Sequence, residues 1–212
     1  MARQSIADIR KKEILTTFYE IAKKEGLDKT SFSMIAQKLE IQPSLIVHYF
    51  KNRSELIDSL IQYNLDQYEN IFSTASELDE KANAYDRLIM LLNKLFSKEW
   101  DHLFDDGVFY SCYALSYRDE KVKAKFRELH LRIRNHIQEV VDECNNEGVI
   151  AVENSYTTAQ LISNLMDGAY YYVGMLKDIR EQDEYMESVK YSLLKMLNLD
   201  EKMSTAITAD VQ

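Results

Sequence analysis

At 212 residues, with 46% hydrophobic and 29% charged side chains, the chain is long enough to bury a substantial core. Five glycines and one proline are too few for the corners of a turn-rich β fold, so an all-α chain is expected. No apolar run reaches the roughly 18 residues of a membrane span, and the start Met1-Ala2-Arg3-Gln4-Ser5 lacks an export core. Cys112 and Cys144 form no metal-spaced pair; reduced thiols in a cytoplasmic protein are expected. The net charge of −9 divides into +4 over residues 1–53 and −13 over the rest, which suits a head that meets a polyanion and a body that does not.

In chain order, Ile6, Ile9, Ile14, Phe18, Ile21 and Ala22 recur at helical spacing, and Gly26 suits the left-handed position that closes such a helix. Ser31 is placed to cap a short second helix that buries Phe32, Ile35, Ala36 and Leu39. Pro43 fits the first position of a third, two-turn helix carrying Leu45, Ile46, Tyr49 and Phe50, because the missing N–H has no helical partner there. Asn52 and Glu55 have capping-box spacing ahead of a long fourth helix that runs past Phe72. Further helices are expected at about 80–98, 102–117, 119–147, 155–177 and 183–198, with Gly148 ending the third of these and residues 201–212 a flexible tail. The expected organisation is a DNA-binding domain over 1–53 and a helical body over 54–200 that shares the fourth helix.

The informative segment runs from Thr30 to Leu56. Two short helices across a tight turn, backed by a third, are the helix-turn-helix arrangement that sets one helix in the major groove. Burying Ile46 and Phe50 leaves Pro43, Ser44, Val47 and His48 outward, and Lys51 and Arg53 fall just past the helix, where cations meet phosphates.

Gly26, Ser31, Ile35-Ala36 and the run Leu45-Ile46-Val47-His48-Tyr49-Phe50-Lys51-Asn52-Arg53-Ser54-Glu55-Leu56 resemble the N-terminal signature of TetR-type, tetracycline-repressor-like regulators. Glu147-Gly148-Val149-Ile150 and Asp167-Gly168 agree more loosely. The resemblance implies a homodimer on a near-palindromic, double-stranded operator. It implies DNA contacts from Ser31, Ser33, Gln42, Pro43, Ser44, Val47, His48, Tyr49 and Lys51. It also implies a cavity for a small effector whose binding releases the operator; Tyr68, Leu92, Phe104, Tyr113, Phe126 and Tyr171 are the candidate lining, and such aromatic walls favour an apolar or aromatic molecule. Val47 stands where members often carry an aromatic residue, and Gln42 where many carry serine, so the operator sequence does not follow from the resemblance. The final helix pair, with Leu161, Leu165, Ala169, Tyr172, Val189, Leu193 and Met196, is the expected dimer seam.

Other classes are poorly supported. His130 and His136 are six apart, not three or four, and with His102 they complete no metal or haem set. No nucleophile elbow, phosphate loop or dinucleotide glycine motif is present, so neither an enzyme nor a cofactor is expected. An activator, a DNA-binding protein without an effector, and a nucleoid-type binder without sequence choice stand as alternatives to the repressor.

Overall fold

A computed structural model describes residues 5–76, 82–97 and 105–199; side chains of residues 67–76 lie outside that description. Among the described residues there are nine helices and no strand. They are α1 (Ile6–Glu25), α2 (Phe32–Leu39), α3 (Pro43–Tyr49), α4 (Arg53–Ser76), α5 (Ala84–Leu95), α6 (Asp106–Leu115), α7 (Glu120–Asn146), α8 (Ser155–Val173) and α9 (Ile179–Met196). The expected tail, 201–212, lies outside the described residues.

The chain forms two compact units, Met1–Asn70 with Trp100–Leu129, and Ile71–Glu99 with His130–Gln212. The helix-turn-helix head thus shares its unit with the first part of α4, with α6 and with the start of α7. Both α4 and α7 continue from the first unit into the second.

In the first unit, Ser5 and Asp8 form a reciprocal capping box that starts α1. Its inner face buries Ile14, Phe18, Ile21 and Ala22 against Ile35 and Ala36 of α2 and Ile46 of α3. The small Ala36 lets the helices approach closely. Gly26 ends α1 at φ 89° and ψ 149°, outside the left-handed well expected for it but still a conformation that only glycine takes without strain. Tyr19 joins α1 to α6: its hydroxyl accepts the Asp105 N–H, while the Asp105 side chain caps α6 by accepting from Val108 N–H at 3.0 Å.

In the second unit, Leu88, Leu91, Leu92 and Leu95 of α5, Ile133, Ile137 and Val141 of α7, and Ala159, Ile162 and Met166 of α8 are buried. Gly148, at φ 71°, lets the chain reverse after α7 so that Val149 N–H bonds Cys144 O at 2.8 Å and Ile150 re-enters the core. Tyr170 donates to the carbonyls that end α5, Leu95 O at 3.0 Å and Ser97 O at 2.8 Å, and Arg87 pairs with Glu143.

Several boundaries differ from the sequence expectation. Helix α9 starts at Ile179, four residues early, because Asp178 accepts from the Arg180 and Glu181 N–H groups; the exposed first turn has no apolar period to announce it. Helix α8 stops at Val173, short of 177. Helices α5 and α6 span 84–95 and 106–115, shorter than expected, although part of each expected range lies outside the described residues. In the seam set, Ala169 and Leu193 are buried inside the unit at 2% and 0% exposure, so neither is on a free face, whereas Leu161, Leu165, Tyr172 and Met196 are exposed.

Candidate nucleic-acid interface

The turn between α2 and α3 is built from backbone. Glu40 adopts the left-handed conformation at φ 54°, and Ile41 N–H returns to Ala36 O at 3.0 Å, so α3 leaves sharply from the end of α2. Pro43 then occupies the first turn of α3. Gln42 is the N-cap residue, but its side chain makes no capping bond and is exposed. Only Ile46 of α3 is fully buried, with Phe50 anchoring the far end.

That anchoring leaves Gln42, Pro43, Ser44, Val47 and His48 exposed on one short helix and its cap, with Val47 48% exposed. Tyr49 is half-buried and meets the His48 ring edge-on, centroids 5.1 Å apart. Ser31 is exposed but partly committed: its oxygen caps α2 by accepting from Met34 N–H at 3.3 Å. Ser33 is exposed on the first turn of α2. Lys51 is exposed, immediately after α3. The nine expected DNA contacts therefore lie within one helix-turn-helix.

The start of α4 differs from expectation in two ways. Asn52 does accept from Glu55 N–H at 2.9 Å, but the Glu55 carboxylate accepts from the Lys51 N–H at 2.8 Å, one residue before the position that a standard capping box would use. Arg53 does not present its charge outward as a free phosphate ligand. Its guanidinium donates to Leu27 O at 2.6 Å and, at longer range, to Asp28 O and Thr30 O, tying α4 to the α1–α2 loop. A sequence signal for this role existed: a cation in the first turn of a helix is disfavoured by the helix dipole, so its charge must be taken up elsewhere.

The expected effector residues belong to both units. Tyr113 and Phe126 meet edge-to-face in the first unit with centroids 5.2 Å apart, and Phe109 meets Phe126 at 5.7 Å. Leu92 and Tyr171 belong to the second unit, where Leu92 is buried in the core and Tyr171 is 57% exposed. Phe104 and the side chain of Tyr68 lie outside the described residues. No group of three or more His, Cys, Asp or Glu among the described residues is placed to hold a metal. His130 lies 3.6 Å from Asp167 and His136 3.8 Å from Glu139, each as a pair; His102 lies outside the described residues. No described helix is long and apolar enough to cross a membrane.

Residues 14–60 match the family of bacterial regulatory proteins of the tetR type, and residues 83–199 match the tetracyclin repressor-like C-terminal domain. The second match alone spans more than half of the chain. The chain belongs to the tetracycline-repressor family.

Members of this family are DNA-binding transcription regulators, not enzymes. The fold agrees with solved members. A TetR transcription regulator from Haloarcula marismortui superposes with a TM-score of 0.75 at 17% identity, covering 90% of this chain and 97% of its own. A TetR-family regulator from Cytophaga hutchinsonii gives 0.74 at 14% identity, covering 92% and 98%. A transcriptional regulator from Saccharomonospora viridis, solved in complex with choline, gives 0.73 at 18% identity, covering 88% and 96%. No curated protein matches the chain.

Proposed function

We propose that this tetracycline-repressor family member is a cytoplasmic repressor that binds a near-palindromic operator as a homodimer and is released by a small, largely apolar effector. The observation that carries the DNA-reading part is the outward array on α3. One buried residue, Ile46, fixes the helix, and Gln42, Ser44, Val47 and His48 are left exposed at its cap and along it. Ser44 and His48 offer hydrogen bonds to base edges, Val47 offers an apolar contact to a thymine methyl, and Lys51 supplies charge to a phosphate at the helix end.

Release by an effector is supported by the aromatic cluster of Phe109, Tyr113 and Phe126, whose rings favour an apolar or aromatic molecule over a sugar or phosphate. Helix α4 begins at the reading head within the same unit, so a ligand that shifts α4 shifts the head. A tenfold loss of operator affinity requires about 1.4 kcal/mol of preference for the non-binding form.

The test begins by selecting tight-binding fragments from the genome that encodes the chain and comparing them with random duplex at one salt concentration. His48→Ala should narrow the gap between operator and random DNA. Lys51→Ala should weaken both alike and lower the salt slope by about 0.9. Wild-type binding by both variants would overturn the reading of α3. Titration of the operator complex with choline, a fatty acid and an aromatic acid then reads effector release directly, and a reporter gene that rises when the regulator is deleted identifies repression.

A further inference from the structure

In the first unit, a groove of about 710 Å³ lies between the start of α4 and the α6–α7 connection. Asn52, Arg53, Ser54, Glu55, Ile57 and Asp58 form one wall, and Leu115 to Val122 without Ser116 and Tyr117 form the other. Asn52 directly follows Lys51, so the groove opens where the phosphate-facing end of the reading helix stops.

Its charges are not equally available. Glu55 accepts from the Lys51 N–H at 2.8 Å, and Asp58 is paired with Lys125 at 2.7 Å. Asp119 caps α7 by accepting from Lys121 N–H at 2.8 Å and Val122 N–H at 3.3 Å, and Glu120 is paired with Lys123 at 2.9 Å. Arg53 is held by backbone carbonyls. Every carboxylate of the groove is thus engaged, while the exposed side chains of Arg118 and Lys121 have no partner among the described residues. The lining itself holds three cations and four carboxylates; with Lys51, Lys123 and Lys125 beside it, six cations face four carboxylates, in a chain whose body is otherwise acidic. Carboxylates already satisfied by N–H groups or ammonium groups repel an incoming anion less than free ones, and two uncommitted cations next to the proposed phosphate contact at Lys51 complement a polyanion.

We propose that this groove is a second DNA contact, in which Arg118 and Lys121 hold the phosphate backbone beyond the stretch read by α3. The proposal rests on DNA binding through α3 and Lys51, and it extends the footprint to a segment more than sixty residues away in sequence.

Salt dependence of binding to a random 30-base-pair duplex tests it without any operator, because each phosphate contact contributes about 0.9 to the slope of log K against log salt. Arg118→Ala with Lys121→Ala should lower the slope by about 1.8 per bound chain. Arg118→Lys with Lys121→Arg should retain it. Lys177→Ala with Arg180→Ala removes the same charge from exposed positions of the other unit and should leave the slope unchanged. A slope that is the same in the groove variant and in wild type overturns the proposal, as does an equal fall in the Lys177/Arg180 control. If Lys51→Ala lowers the slope and the groove variant does not, only this proposal fails. A wild-type chain with no salt-dependent duplex binding overturns both it and the reading of α3.

Discussion

Cys112 and Cys144 show how burial alone sets the chemistry of a residue. Both are fully buried, and Cys144 donates its S–H to Ala84 O at 3.0 Å. Burial pushes the Cys112 thiol up to about 12 and, assisted by Glu143 and Glu147, the Cys144 thiol up to about 11, from an ordinary 9.0. Neither thiol is a redox sensor of the low-pKa, exposed kind. The sign of the pH effect follows. Below pH 9 the thiols are protonated in both the folded and the unfolded chain, and their contribution to stability is fully present. Above pH 9 the unfolded thiols ionise and the folded ones do not, so stability falls as pH rises toward 11 and 12. We expect denaturant midpoints to fall between pH 9 and 11, and Cys112→Ala to flatten that dependence by about 1.4 kcal/mol per pH unit. Alkylation at pH 8 should label neither cysteine in the native chain and both in denaturant; labelling of the native chain would contradict this burial.

At the scale of elements, two cations separated by one residue end in different surroundings because they belong to the ends of different helices. Lys51 follows α3 with its ammonium exposed, whereas Arg53 opens α4 and turns onto the carbonyls of the α1–α2 loop. Those carbonyls lie just past the end of α1, where a guanidinium satisfies groups that no helix bond reaches. Arg53→Met should therefore lower the stability of the head by about 1 kcal/mol, the usual net value of such a bond on a partly exposed side chain. It should leave the salt slope of DNA binding unchanged. Lys51→Ala should do the reverse, and urea melts paired with salt titrations separate the two. Equal salt slopes for Arg53→Met and Lys51→Ala, both reduced, would mean that Arg53 also reaches phosphate.

For the whole molecule, the exposed apolar surface of α8 and α9 is the proposed dimer seam. Leu161, Leu165, Tyr172 and Met196 are exposed there, while Ala169 and Leu193 hold the two helices to their own unit. A homodimer that buries the first group should dissociate on Leu161→Asp with Tyr172→Asp, with the monomer still folded by circular dichroism. Leu193→Asp should instead unfold the chain, because it places a charge in a closed core. Sedimentation velocity at micromolar concentration checks both; a wild-type monomer that still binds its operator tightly would exclude the dimer. The sequence by itself determined the all-helical class, the family and which residues of α3 face outward, because those depend on local signals: helical period, capping residues, and Pro43 and Gly26 at helix ends. Even Val47 and His48 were legible, since burying Ile46 and Phe50 on so short a helix leaves little choice of outward face. Only the tertiary structure decided that Arg53 serves the fold, that Glu55 caps Lys51, that Leu193 is core, and that Arg118 stands across a groove from Asn52. The Glu55 carboxylate meets an N–H only four residues away, but which one it takes is set by the turn between α3 and α4; Arg53 and Arg118 depend on segments more than twenty and more than sixty residues away, and such partners leave no period in the chain to announce them.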